Sequence, residues 1–219
     1  MDSDELKRNV DRALNNIARA ADKQSSRVTL VAAVKTVPAD VINAAVSYGV
    51  TDVGENRVQE FVAKRDGVQG AKWHFIGTLQ RNKAKYLVGK VSLIQSVNCA
   101  ALAAEIDRLA GLRGVTQDVL IEVNAAGEAS KTGAPLCEAD ELIGYARTLK
   151  NVRVRGLMSV PPIGADASVY ERLYRLYQEH AGKQFDVLSV GMSGDYEEAI
   201  ECGSNMVRLG TAIFGRRKQ

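Results

Sequence analysis

Short apolar runs alternate with amphipathic stretches from one end of the chain to the other, and no other feature restricts the fold so tightly. The runs fall at Val28–Val34, Asp52–Gly54, Lys72–Ile76, Val91–Val97, Gln117–Val123, Val152–Met158, Asp186–Gly191 and Met206–Phe214. Most are too continuously apolar for strands that face water on one side, and they read as strands buried on both faces. Between them, Ala39–Tyr48 has Pro38 just before it and Gly49 just after, the usual helix punctuation. Residues 99–113, 135–149 and 167–182 carry similar apolar stripes. Strict alternation of strand and helix demands parallel pairing through crossovers. An open doubly wound sheet and a closed barrel both meet that demand, and the even spacing of the units favours a (β/α)₈ TIM barrel. Too few residues follow the last run for a final helix. Residues 3–23, with Leu6, Val10, Leu14, Ile17 and Ala21 at helical spacing, are expected instead to cover the seam between the eighth strand and the first. No linker or repeat interrupts the pattern, so residues 1–219 read as a single domain.

Composition bounds what such a barrel can bind. Basic and acidic side chains number 29 and 26, and the resulting charge of +3 argues for no nucleic-acid partner without a clustered basic face. The tail Arg216-Arg217-Lys218 reads as a solvated terminus. Cys99, Cys137 and Cys202 are far apart, which suits neither a disulfide framework nor a zinc site, and a reducing compartment is the default. The start, Met1-Asp2-Ser3-Asp4-Glu5, is acidic where a secretory signal is basic and then apolar. No stretch reaches the length of a membrane span. A soluble, cytoplasmic protein with no metal, membrane or nucleic-acid partner is expected.

Barrels of this kind work at the C-terminal ends of their strands. There the first run ends in Lys35, the second runs into Gly54-Glu55-Asn56-Arg57, the third carries His74, and the fifth ends Glu122-Val123-Asn124. The seventh ends Gly191-Met192-Ser193-Gly194-Asp195, and the eighth holds Arg208-Leu209-Gly210-Thr211. Lys35 has two readings: an amine in water at the rim, or an interior amine that burial strips of its proton, making it a nucleophile toward carbonyl carbon. The loops after the last two strands commonly hold phosphate in such barrels, and their glycines and hydroxyls suit close backbone approach to an anion, although ordinary turns use the same residues. A ligand with phosphate at one end and aldehyde at the other fits that spacing. Arg208 is either a rim ion pair or an inward donor to a neutral ring nitrogen, which would stay unprotonated and make a poor electron sink. His74 reads as a packed, hydrogen-bonded group, His180 as surface, and Trp73 as core. Lys83, Lys85 and Lys131 read as solvated charge, with Lys131 a candidate second aldehyde contact.

The same residues carry a resemblance over nearly the whole chain. The runs 34–38 (VKTVP), 54–60 (GENRVQE), 73–83 (WHFIGTLQRNK), 191–195 (GMSGD) and 207–215 (VRLGTAIFG) resemble the YggS/PROSC family of pyridoxal 5′-phosphate homeostasis proteins, in order and spacing. That resemblance implies the N-terminal barrel of alanine racemase and other fold-type III pyridoxal phosphate proteins, without their second, β-rich domain. It implies an internal aldimine on Lys35, Asn56 near the ring and Arg208 facing the pyridine nitrogen. Ser193, Gly194, Gly210 and Thr211 surround the phosphate by the same reasoning, with Met192 in that loop also a cofactor contact. Arg57 departs from the family's usual tyrosine, and Gly194 matters only through its backbone. The implied function is homeostasis or delivery of pyridoxal phosphate (vitamin B6) and amino-acid balance, with no established reaction. Partners would be the cofactor and either cofactor-dependent apo-enzymes or a regulatory protein, and a monomer is the expected state. A racemase-like enzyme is the runner-up, and a cofactor-free lysine aldolase the third reading.

Overall fold

In the computed structural model, which describes residues 2–24, 27–127 and 132–216, each apolar run becomes a strand and each amphipathic stretch a cover for it. The chain opens with α1 (Ser3–Gln24), followed by β1 (Thr29–Ala33), α2 (Ala39–Ser47), β2 (Asp52–Glu55), α3 (Val58–Lys64) and β3 (Lys72–Phe75). A 3₁₀ segment, Arg81–Tyr86, leads to β4 (Leu93–Val97), α4 (Ala100–Leu112) and β5 (Gln117–Asn124). After β6 (Ala134–Pro135) come α5 (Ala139–Thr148), β7 (Val152–Met158), α6 (Ala167–His180), β8 (Val187–Ser189), α7 (Tyr196–Glu201), β9 (Met206–Leu209) and α8 (Thr211–Phe214).

The strands pair in the order β4-β3-β2-β1-β9-β8-β7-β5, and β4 pairs with β5 to close the ring. Every pairing in the ring is parallel, as in Val31↔Asp52, Gly54↔His74 and Val31↔Arg208. The two-residue β6 hangs on the end of β5 outside the ring. The architecture is therefore the (β/α)₈ barrel expected from the alternation. At Gly156 the β5–β7 register shifts, and a Cβ there would lie 1.7 Å from the Val187 carbonyl oxygen, so only glycine lets β7 and β8 meet.

The α1 stripe buries Leu6, Val10, Ala13, Ile17 and Ala20. Asn9 donates to the Ile213 carbonyl of α8 (3.1 Å) and Asn16 to the Tyr196 hydroxyl of α7 (2.9 Å). These contacts seat α1 over the join of β9 and β1, as its stripe predicts. Between α3 and β3, Phe61 and buried Trp73 meet edge to face with centroids 5.3 Å apart. At the N-terminal end of the barrel, Asp118 takes bonds from Arg153 (2.6 Å) and Arg155 (2.9 Å), and Arg155 also reaches Asp186 (2.7 Å). This ionic cluster lies on the face opposite the functional strand ends.

Two expectations need correction. The last run is not one strand to Phe214: β9 stops at Leu209, and Thr211–Phe214 turn into the one-turn helix α8. Apolar content cannot distinguish a buried strand from a buried helical turn at this length. His180 is not free surface, because its Nε2 sits 2.6 Å from Asp140 Oδ1 at the end of α6.

Candidate functional site

A cavity of about 700 Å³ opens at the C-terminal ends of the strands. All eight residues singled out for ligand contact line it: Lys35 from β1, Asn56 from β2, Met192, Ser193 and Gly194 after β8, and Arg208, Gly210 and Thr211 around β9. These come from neighbouring strands, β2-β1-β9-β8, so the polar groups share one arc of the mouth. Sequence reasoning missed the apolar side, where Val41, Ile76, Val160 and Phe214 line the same space. Nothing in a Val or Ile marks it as cavity wall rather than core. Lys131 lies outside the described residues. His74 and Trp73 are buried away from the cavity, and Lys85 is exposed.

Lys35 sits in a turn closed by the Val37 N–H bonding to the Val34 carbonyl (3.0 Å). Its side chain is exposed while lining the cavity, so burial is not what sets its amine apart and the interior reading is corrected on that point. Thr36, beside it, has φ of 63°, the one positive value at a non-glycine among the described residues. That conformation costs a β-branched residue energy and persists only where surroundings hold it. The holding groups come from β2 and α3. The Lys64 ammonium donates to the Val34 carbonyl (3.0 Å), Glu55 (2.6 Å) and Glu60 (2.8 Å), while Glu60 also accepts the Thr36 N–H (2.6 Å). Burial opposes the charge on Glu60, but these bonds outweigh it and hold its carboxyl below the usual range. The second oxygen of the fully buried Glu55 accepts the Asn56 and Arg57 N–H groups (2.8 and 3.3 Å), which fixes the start of α3.

Across the mouth, Ser193 Oγ accepts the N–H groups of Gly210 and Ala212, each at 3.1 Å. With its acceptor capacity used, its hydroxyl proton is left to donate. The turn before it needs glycine: Gly191 has φ of 103°, and a Cβ there would come 2.8 Å from that of Ala199. Asp195 ties the turn down, accepting from the Met192 N–H (2.6 Å) and the Tyr170 hydroxyl (2.7 Å). Asn56 is held from behind, since a Cβ on Gly77 would lie 2.2 Å from its carbonyl oxygen. Asn56 Oδ1 is buried with no hydrogen-bond partner among the described residues.

Arg208 is buried, and its three bonds go to neutral oxygens: Ser189 O (2.8 Å), Ser189 Oγ (2.6 Å) and Ser159 O (2.7 Å). The rim ion-pair reading is therefore replaced by an inward guanidinium. Burial lowers its pKa to about 10 against the pull of Asp195 and Glu122, which leaves it charged at neutral pH. The Ser189 hydroxyl donates to Gln95 Oε1 (2.7 Å), and the Gln95 amide to His74 Nδ1 (2.9 Å). Because an amide nitrogen only donates, the imidazole proton sits on Nε2 and faces Asp52 at 3.0 Å. Strands β4 and β8 are not neighbours, so the Gln95–Ser189 bond crosses the barrel interior. A one-way hydrogen-bonded line thus joins a cation at the cavity to an anion near the barrel's other end. His74 belongs to this line as a packed, hydrogen-bonded group.

Among the described residues no group of His, Cys, Asp and Glu could hold a metal ion, and no helix is long and apolar enough to cross a membrane. Comparison with known proteins matches residues 2–218 to the family described as alanine racemase, N-terminal domain. The chain is 42% identical over 219 residues to the pyridoxal phosphate homeostasis protein of Aquifex aeolicus, covering 94% of this chain and 96% of that one. PipY of Synechococcus elongatus PCC7942, solved with pyridoxal phosphate bound, superposes with a TM-score of 0.76 at 31% identity, over 91% of this chain and 100% of PipY. Alanine racemase of Clostridium difficile 630 shares the fold with a TM-score of 0.78 at 16% identity, over 99% of this chain and 58% of the racemase.

Proposed function

The chain belongs to the alanine racemase N-terminal domain family, and within it to the pyridoxal phosphate homeostasis proteins, and from that premise we propose that it binds pyridoxal 5′-phosphate in the barrel mouth and serves the cell's supply of it. The observation that carries this reading is one cavity collecting an amine, a hydroxyl cradle, an unpartnered amide oxygen and a guanidinium. Bound there, the cofactor supplies an aldehyde that condenses with a primary amine.

The residues present fit such a group. Lys35 Nζ is the point of covalent attachment. Ser193, with the backbone of Gly194, Gly210 and Thr211, receives the phosphate, and Met192 shapes the same turn. Asn56 Oδ1 gains the donor it lacks, and Val41 and Ile76 exclude water from that side. Arg208 presents N–H to the ring nitrogen and keeps its own proton at neutral pH, which leaves that nitrogen unprotonated and discourages carbanion chemistry. Storage and delivery suit this arrangement better than turnover, so the protein is read as a carrier and not an enzyme. Its recipients in this reading are apo-enzymes that use the cofactor, in the cytoplasm, and it acts as a monomer.

The test is an absorbance spectrum of the purified protein mixed with pyridoxal 5′-phosphate, followed by borohydride reduction and peptide mapping. A visible band, with the reduced adduct on Lys35, is expected. A protein that stays colourless and unlabelled overturns the cofactor reading. Deuterium exchange at the α-carbon of added amino acids separates carrier from racemase: exchange at enzyme-like rates overturns the carrier reading.

A further inference from the structure

We infer that Lys64 and Glu60 of α3 are positioning residues for Lys35, clamping the peptide groups on either side of it so that its amine meets the aldehyde at a set place. The inference rests on Lys35 being the point of attachment. Lys64 holds the carbonyl of Val34, immediately before Lys35, and Glu60 holds the N–H of Thr36, immediately after it. The two clamp residues are bonded to each other at 2.8 Å, and Lys64 is anchored to Glu55, whose side chain is fully buried. The Lys64 side chain is itself only 14% exposed, so this is no loose surface pair.

The clamp has a specific load to bear. Lys35 and Thr36 are the central residues of the turn that ends β1, and Thr36 adopts the left-handed conformation that glycine takes freely. Without an acceptor at the Thr36 N–H the turn relaxes toward an ordinary conformation, and the Lys35 Cα–Cβ bond swings with it. The reaction at stake joins the Lys35 nitrogen to the aldehyde carbon as a C=N bond. The carbonyl oxygen leaves as water, taking both protons of the neutral amine. Its rate depends on nitrogen and carbon being brought within reach in the right orientation, and misplacement by about 1 Å can cost about a hundredfold. Through Glu55, which fixes the Asn56 N–H, the same cluster also ties the turn to the adjoining wall of the cavity.

The experiment compares the parent with Lys64→Met, Glu60→Leu and the double variant Lys64→Met/Thr36→Gly. Three quantities are measured: the rate of band formation with pyridoxal 5′-phosphate, the affinity for pyridoxine 5′-phosphate (which has ring and phosphate but no aldehyde), and the melting temperature. Band formation is expected to slow by about ten- to a hundredfold in both single variants, with pyridoxine 5′-phosphate affinity within about threefold of the parent, since ring and phosphate contacts lie elsewhere. Thr36→Gly is expected to restore most of the rate, because glycine needs no clamp at that φ. If Lys64→Met does not fold, Glu60→Leu decides the matter, since it removes the acceptor for the Thr36 N–H while Lys64 keeps its bonds to Glu55 and the Val34 carbonyl. Single variants that form the band at the parent's rate, or that lose pyridoxine 5′-phosphate affinity by the same factor as the rate, overturn the inference. A parent protein with no band overturns the cofactor reading itself, an outcome visible before any variant is made.

Discussion

Glu122 and Asp52 are buried carboxylates on strands of one barrel, and their surroundings push them in opposite directions. Glu122 shares the inward face of β5 with Leu120; Thr132 donates to its Oε1, and its Oε2 has no hydrogen-bond partner among the described residues. Burial pushes its carboxyl above the usual range, against the Thr132 bond and the charge of Arg208. An acid whose folded pKa is raised favours folding at low pH and loses that contribution as pH rises through the folded value. Glu122→Gln is therefore expected to melt a few degrees higher than the parent at pH 8 and about equally near pH 4, by calorimetry across pH. For Asp52, burial also raises the pKa, but the bonds from His74 and Thr51 outweigh it and leave the carboxyl below its usual range. Its stabilisation is present above the unfolded pKa of about 3.9 and fades as pH falls through the folded value. Asp52→Asn should cost about 1–3 kcal/mol in urea unfolding at pH 7, and the deficit should vanish near pH 2. Lys35 and Ser193 were legible in the sequence because each follows an apolar run at a strand end, and Arg208 because it is a lone charge inside one. The hydrogen-bonded line behind Arg208 was not, since Ser189, Gln95 and His74 come from three strands and the bonds that join them span up to 94 positions.

At the scale of elements, legibility followed length. The 22-residue α1 repeats its stripe through several turns, and its buried face is the one the spacing predicts. Ile17, nearly fully buried in that face, should cost about 2–4 kcal/mol when cut to alanine. Spectra of the bound cofactor should be unchanged, because α1 packs on α7 and α8 outside the barrel; a changed spectrum would tie α1 to the cavity. By contrast, the seven residues of α3 complete fewer than two turns, too little for periodicity to register, although this helix supplies the whole clamp on Lys35. The 3₁₀ segment at Arg81–Tyr86, which stands where the third helix of a regular barrel would be, left no stripe either.

For the whole molecule, binding at one end and ionic stabilisation at the other are separate. A ligand that binds only the folded barrel stabilises it by mass action, about 2.7 kcal/mol at a hundred times its dissociation constant. For a chain of this size that corresponds to a rise of about 5–10 °C in Tm on saturation with pyridoxal 5′-phosphate, read by differential scanning fluorimetry. No rise would mean the cavity does not hold the cofactor. The line from Arg208 to Asp52 has a consequence on a longer timescale. Each member donates in the same direction, so replacing one leaves a neighbour with its donor or acceptor facing nothing in the interior of the ring. Descent with modification can then alter these positions only in concert, and relatives that have lost His74 should carry matched exchanges at the positions of Gln95 and Ser189.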